Sequence, residues 1–391
     1  MGFGVTVSDL FERIVPLRES GLTFREIADY LEISYDTVYG TWRRESKKLG
    51  NPELDKARED RDKRLESARQ RAEVKHALFV DDMKTAIKSV PILRTEVVSP
   101  SHETSDRSAV LLLSDIHLGQ YTTSRLNAGW EQSSIVCRMQ FKSLVDQLLA
   151  VQSTLQASEL VILDLGDNVE GDNLRPSQHR MVDQLVVQQT AEYGRLLADL
   201  IVSALTVFPR VRVERVPGNH GRTTQKASYG GLAELDPIDS FDWLGGEFAR
   251  EILRPDIARG TVVFNNHSTY FADTYIRGKR VIFEHGSSVK APGQFMSPMM
   301  AVEKTAHAYR ELLGPFDLFC LGHYHRAYQI PFGYDGLIIG NGSFPPTSPF
   351  VVTALHQASI PVQLLFTMTD DGVKEIKRLV LPVEKHVTQS R

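Results

Sequence analysis

Ala109-Val-Leu-Leu-Leu-Ser-Asp-Ile-His117 sets five apolar residues almost directly against an Asp-x-His pair. A run this short and this apolar is expected of a strand covered on both faces, as in parallel sheets. The same layout returns four times downstream. Leu160-Val-Ile-Leu163 leads to Gly166-Asp-Asn168, and Val211–Val216 leads to Gly218-Asn-His220. Val281-Ile-Phe283 leads to His285-Gly286, and Leu318-Phe-Cys-Leu321 leads to Gly322-His-Tyr-His325. Helical patterns lie between several of these strands, as over Met139–Gln152 and Met181–Leu205. Alternation of this kind argues for an α/β layered fold. Loops at the carboxyl ends of such strands are where residues from distant parts of a chain can meet.

The residue types at those strand ends are carboxylate, carboxamide and imidazole. Asp115 and His117 are two apart just past a strand end, so one turn can aim both at one ion. Asp167 can give an oxygen to each of two cations and is the natural bridge between them. Asn219 offers a neutral oxygen, and His285, His323 and His325 offer ring nitrogens. A nitrogen and oxygen donor set without thiolate suits two divalent ions, and ligand type alone does not choose among manganese, iron, zinc and nickel, of which manganese is the expectation. Two ions about 3.5–4 Å apart can share a hydroxide that attacks phosphorus in line. His220, beside a ligand without having to be one, is the expected general acid for the leaving oxygen.

This set of motifs resembles the calcineurin-like metallophosphoesterase superfamily over roughly Ser108–Thr369. The resemblance implies a two-sheet β-sandwich flanked by helices, with a dinuclear site. Carried onto this chain, one metal would take Asp115, His117, Asp167 and His325. The other would take Asp167, Asn219, His285 and His323, with His220 as proton donor. Gly336-Leu-Ile-Ile-Gly-Asn-Gly-Ser343 resembles the strand and turn that follow the last ligand motif in that family. Two departures stand out. Gly221-Arg222 follows His220 where the family often has Asp or Glu, and Arg222 becomes a candidate contact to a substrate phosphate. Gly166-Asp-Asn-Val-Glu-Gly171 replaces the Asp-Arg-Gly signature of the protein phosphatase branch.

Upstream lie two zones of different character. Over residues 1–50, Thr23 and Glu26 form a capping box ahead of an apolar stripe of Ile27, Ala28 and Leu31. Ser34 can cap a second helix with Thr37, Val38 and Thr41 or Trp42 facing inward. Two short helices joined by a tight turn predict a small all-α helix-turn-helix domain. Tyr35 and Tyr39 would lie near base edges, and Arg43, Arg44, Lys47 and Lys48 near phosphates. Residues 51–107 read as a charged helical connector with opposite charges at helical neighbour spacing, followed by a Pro- and Ser-containing linker. A coiled-coil homodimer is one use of that connector. The phosphoesterase-type domain then spans 108–391.

The net charge of −4 over 391 residues gives no global attraction to nucleic acid, so any such binding must come from local patches. Cys137 and Cys320 are distant, each among apolar neighbours, which argues against a disulfide scaffold. No apolar run reaches about 18 residues, and the start lacks a secretory layout, so a cytoplasmic protein without membrane spans is expected. The motifs and the N-terminal helices together predict a metal-dependent phosphodiesterase acting on nucleic acid, DNA above all. That places it closest in kind to the Mre11 and SbcD type of nuclease. The alternatives are a phosphoesterase for nucleotides or cyclic nucleotides, and a DNA-binding regulator with a non-catalytic phosphoesterase fold.

Overall fold

Five apolar strands end at the five motifs, and the computed structural model shows how they are layered. It describes residues 7–49, 59, 63, 66–67, 70, 74, 105–124, 129–174, 178–224, 237–289, 298–346 and 360–385. The chain divides into two compact units, Met1–Asp82 and Met83–Arg391.

The first unit holds α1 (Val7–Glu19), α2 (Phe24–Leu31) and α3 (Tyr35–Leu49). The capping box at α2 is formed: Glu26 N–H donates to Thr23 Oγ1 at 3.3 Å, and Thr23 N–H donates to Glu26 Oε2 at 2.7 Å. Glu32, in the left-handed region at φ 54°, ends α2 and turns the chain. Ser34 Oγ then accepts Thr37 N–H at 3.2 Å at the start of α3. Ile14, Ile27, Ala28 and Val38 form a small core, with Trp42 packed against it and 5.5 Å from the Phe11 ring. Val38 and Thr41 face inward as expected, but Thr37 does not. Its hydroxyl lies 2.7 Å from Ser34 Oγ, so the cap holds it at the surface. In the expected connector, Lys63 donates to Glu59 one turn back at 2.6 Å. Glu66, Ser67, Gln70 and Val74 are likewise helical and exposed, while the other connector residues, most of the linker and the expected apolar stripe lie outside the described residues.

The second unit has two sheets. β1 (Ser108–Leu113), β3 (Glu159–Asp164), β4 (Val211–Arg215), β5 (Val262–Asn266), β11 (Val362–Thr369) and β12 (Gly372–Val380) form a six-stranded sheet in the order β12-β11-β1-β3-β4-β5. β6 (Phe271–Ile276), β7 (Lys279–Glu284), β8 (Leu318–Leu321), β9 (Tyr328–Phe332) and β10 (Gly336–Gly340) form a five-stranded sheet in the order β6-β7-β8-β10-β9. β1, β3, β4 and β5 run parallel, as do β7, β8 and β10, while β11, β12, β6 and β9 pair antiparallel. The short β2 (Trp130–Glu131) and β13 (Glu384–Lys385) pair separately.

Strand period assigns the layers. On β1, Val110 and Leu112 face the second sheet, meeting Val281, Phe283, Leu318 and Ile339. Ala109, Leu111 and Leu113 face the opposite way, onto α4 (Ser134–Leu155) and α5 (Val186–Ala204). α6 (Phe241–Ile252) and α7 (Arg254–Ala258) extend that helical layer. On the outer face of the second sheet, Ile282, Phe319 and Ile338 pack on Val302 and Ala306 of α8 (Pro298–Leu313). The result is a helix–sheet–sheet–helix stack in which the central strands β1, β3 and β8 are buried on both faces. Among the described residues, no helix is long and apolar enough to cross a membrane.

Candidate metal centre

Each motif begins within three residues of the end of its strand: β1, β3 and β4 in one sheet, β7 and β8 in the other. The sandwich therefore brings five turns to one edge. Backbone bonds tie them together. Asp115 N–H donates to Gly166 O at 2.9 Å, His117 N–H to Asp167 O at 3.0 Å, and Gly322 N–H to His285 O at 3.0 Å. Gly166 and Gly218 let two turns touch backbone to backbone. A Cβ on Gly166 would lie 2.2 Å from Gly218 N, and one on Gly218 would lie 2.1 Å from Asp167 Oδ1.

Five of the seven expected ligands have positive φ: Asp115 52°, His117 48°, Asp167 55°, His323 68° and His325 55°. Only three other non-glycine residues among those described share that conformation. Left-handed backbone is costly for residues other than glycine, and structures keep it where it serves a site. Here it turns side chains from separate loops toward one another.

Among the described residues three groups could hold an ion: two consist of expected ligands, Asp115–His117–His325 and Asp167–His285–His323, and the third, His117–Glu170–His220, shares His117 with the first. In the first, His325 Nε2 lies 3.3 Å from Asp115 Oδ1 and 3.1 Å from His117 Nε2. In the second, His285 Nε2 lies 3.0 Å from Asp167 Oδ2, 3.2 Å from Asn219 Oδ1 and 3.1 Å from His323 Nδ1. His323 N–H bridges the groups by donating to both Asp115 carboxylate oxygens, at 3.1 and 3.0 Å. All seven expected ligands are thus gathered at one place.

The outer ring nitrogens fix what the inner ones can do. His285 Nδ1 is 2.8 Å from Leu165 O, a carbonyl that can only accept, so this nitrogen carries a proton. His117 Nδ1 is likewise 2.8 Å from Glu170 Oε2. In the neutral rings the inner Nε2 atoms are then lone pairs, each 3.1 Å from another imidazole nitrogen. Such lone pairs need a proton or a cation between them. A proton can take that place. Burial disfavours charge on His285, yet the Asp167 carboxylate raises its pKa to about 9. Burial and the His285 charge push His323 down to about 3. Burial raises Asp115, but His325 and His285 outweigh it and hold the carboxyl at about 2. Donor chemistry, tautomers and convergence all fit a pair of divalent cations.

Glu170 joins the site although its motif gave it no assigned part. Burial penalises its charge, but His220 and His117 hold it ionised, well below the usual carboxylate range. Its Oε2 faces His220 Nδ1 at 3.2 Å as well as His117. Gln178 Nε2 supports this arrangement, donating to Glu170 O at 2.6 Å and lying 3.2 Å from His220 Nδ1. His220 Nε2 is left 4.0 Å from Asp167 Oδ2, beside the metal groups. The signal for Glu170 was its place three residues after Asp167 in one tight turn.

Asp242 had no such signal. From the first turn of α6 it accepts N–H groups of Asp167 at 3.0 Å, Asn168 at 3.3 Å and Gly218 at 2.7 Å, clamping two motif turns. Behind it, fully buried Arg215 donates to Asp164 at 2.8 Å and to the Asp242 carbonyl at 3.0 Å. Removing one partner of such a buried pair costs about 3–5 kcal/mol.

The remaining candidates are more peripheral. Arg222 is half-buried, its guanidinium 5.7 Å from the Tyr270 ring centre. Tyr35 and Tyr39 are exposed on α3 and stacked, with centroids 5.8 Å apart and planes 7° off parallel. Arg43 and Arg44 are exposed one turn further on, with Arg44 Nε donating to Gly40 O at 3.2 Å. Lys47 and Lys48 lie in the last turn of α3, with side chains outside the described residues.

No protein-family model and no curated protein matches the chain. Solved structures do resemble it. A hypothetical protein from Pyrococcus horikoshii OT3 is 13% identical with a TM-score of 0.35, covering 70% of this chain and 89% of its own. Vps29 from Cryptosporidium parvum is 13% identical with a TM-score of 0.30, covering 70% and 98%. Wild-type Vps29 from Entamoeba histolytica, complexed with zinc, is 14% identical with a TM-score of 0.26, covering 69% and 99%. At such identities and scores the functional reading rests on the side chains themselves.

Proposed function

We propose that the chain is a dinuclear-metal phosphodiesterase of the calcineurin-like metallophosphoesterase superfamily that acts on nucleic acid, with DNA the favoured substrate. The observation that carries this reading is the convergence of seven nitrogen and oxygen donors from five turns, five of them in left-handed backbone. Asp115, His117 and His325 would hold one ion, Asn219, His285 and His323 the other, with Asp167 shared. Manganese is the favoured ion. Bound there, the ions would supply Lewis acidity to a phosphoryl oxygen and to water.

The chain's own residues do the rest. Glu170 fixes the ring orientation of both His117 and His220 through their Nδ1 atoms. His220 can then hold a proton on Nε2 for a departing oxygen. Arg222 is suited to a substrate phosphate. In the N-terminal unit, Tyr35, Tyr39, Arg43, Arg44, Lys47 and Lys48 on the second helix of a helix-turn-helix would bring the enzyme to DNA.

The test is digestion by the purified chain with added manganese. Its substrates are single-stranded, duplex and hairpin DNA, RNA and bis(p-nitrophenyl) phosphate. Metal-dependent cleavage is expected, with Asp115→Asn and His220→Ala each lowering kcat at least 100-fold. Absence of turnover on every one of these substrates would refute the reading.

A further inference from the structure

His220, His117 and His325 form a row across the centre, with successive ring centroids 4.5 and 4.8 Å apart. Each end of the row leads to an exposed arginine. At the His220 end, buried Gln178 lies 3.2 Å from His220 Nδ1, and Arg180 closes the same helical turn, Gln178–Arg180. At the other end, exposed Arg326 directly follows His325. The backbone of Tyr121 is tied to the residue that follows Arg180. Tyr121 N–H donates to Met181 O at 2.8 Å, and Tyr121 is 46% exposed. The metal centre itself needs none of these three.

Two exposed arginines whose backbones lie at the two ends of this histidine row have no counterpart on a small ester, but they match successive phosphates of a chain. An exposed tyrosine whose backbone is tied next to that of a cationic residue matches an unstacked base and its phosphate, the pairing used by surfaces that hold single strands. A duplex keeps its base faces stacked and offers the ring little. We propose that the mouth of the centre binds single-stranded nucleic acid, with Arg180 and Arg326 on the phosphates flanking the scissile one and Tyr121 stacked on a base at the Arg180 side. This rests on the phosphodiesterase reading above and names the form of its substrate.

The experiment uses the full chain with manganese and fluorogenic tetrathymidylate and tetrauridylate, beside bis(p-nitrophenyl) phosphate. In the Arg180→Ala/Arg326→Ala double variant, kcat/KM for the tetranucleotides is expected to fall at least tenfold further than for the small ester, mostly through KM. The salt slope of KM should flatten by about 1.4, the value for two phosphate contacts on a single strand. Tyr121→Ala is expected to lose about tenfold on the tetranucleotides, and Tyr121→Phe to restore it. A selective loss on only one sugar type supports the proposal and names the strand. Equal losses on all substrates, or none on the tetranucleotides, overturn it. Should the wild type hydrolyse nothing, the phosphodiesterase reading falls on its own. The rim is then judged by fluorescence anisotropy of the same tetranucleotides, and unchanged affinity in the variants overturns it.

Discussion

The inner nitrogens of His285 and His323 lie 3.1 Å apart, so without metal one ring takes a proton and the other is denied it. Their shifts act on opposite sides of the ordinary histidine pKa. His285 is raised to about 9, so its contribution is fully present below about 6.5 and lost as pH climbs toward 9. His323 is lowered to about 3, so the unfolded chain binds the proton better and stability falls as pH drops below about 6.5. Asp115, held at about 2, contributes above its ordinary value, and that contribution fades between about pH 4 and 2. The metal-free protein is therefore expected to be most stable near pH 6.5, losing a few kcal/mol by pH 9. Metal binding to a neutral His285 displaces its proton. Calorimetry with chelator should show the melting temperature falling between pH 6.5 and 9, and manganese should flatten that fall and release protons. A metal-free profile that is level across this range would show that the two rings are not coupled in this way.

Strand ends and turns carry the next level of control. Gly218 has no positive φ to protect, so Gly218→Ala is a purely steric probe. Its Cβ would stand 2.1 Å from Asp167 Oδ1 and 2.2 Å from Asp167 N, while the strands behind are untouched. Displacing the carboxylate expected to serve both metals should cost about 10–100-fold in manganese affinity, as disturbed ligand support does elsewhere. Titration calorimetry against the wild type, with matched circular dichroism, reads this directly, and equal affinity would remove Asp167 from its shared role. Sequence and structure also part company at this scale. β1, β3, β4, β7 and β8 were legible because burial on both faces makes them continuous apolar runs ending in polar motifs. β5 (Val-Val-Phe-Asn-Asn) and β6 (Phe-Ala-Asp-Thr-Tyr-Ile) mix polar and apolar residues and sit at sheet edges, so no such run marks them. Helix α4 starts at Ser134, five residues before its clearest periodicity, because the Ser133 hydroxyl caps it. The reverse holds for α5, where 178–180 form a separate turn and the helix proper begins at Val186. Asp242 was invisible because its partners lie 24 to 75 residues away and its task is to accept backbone N–H groups, which leaves no sequence pattern.

At the scale of the whole chain there are two units with separate cores, and the proposed function would give chemistry to one and targeting to the other. The expected ligands of the second unit follow strands from β1 through β8, so the candidate metal centre depends on nearly the full sandwich. The N-terminal unit has a small core of Ile14, Ile27, Ala28 and Val38, and Tyr35, Tyr39, Arg43 and Arg44 of α3 stay exposed outside it. Charge decides what ligand they would meet. The chain as a whole is at −4, so attraction to a polyanion has to be local. Arg43, Arg44, Lys47 and Lys48 concentrate four cations in the last two turns of α3, against one acid, Glu45. If Arg43 and Arg44 each neutralise a DNA phosphate, removing both should flatten the dependence of log K on log salt by about 1.8 and weaken duplex binding at every sequence tested. The double variant Arg43→Ala/Arg44→Ala keeps the Thr23–Glu26 capping box and the buried Val38 and Thr41, so its melting profile should match the wild type. Fluorescence anisotropy of a labelled duplex from about 50 to 200 mM salt measures the slope. An unchanged slope with unchanged affinity would move DNA recognition away from this helix and leave the N-terminal unit with a role in assembly.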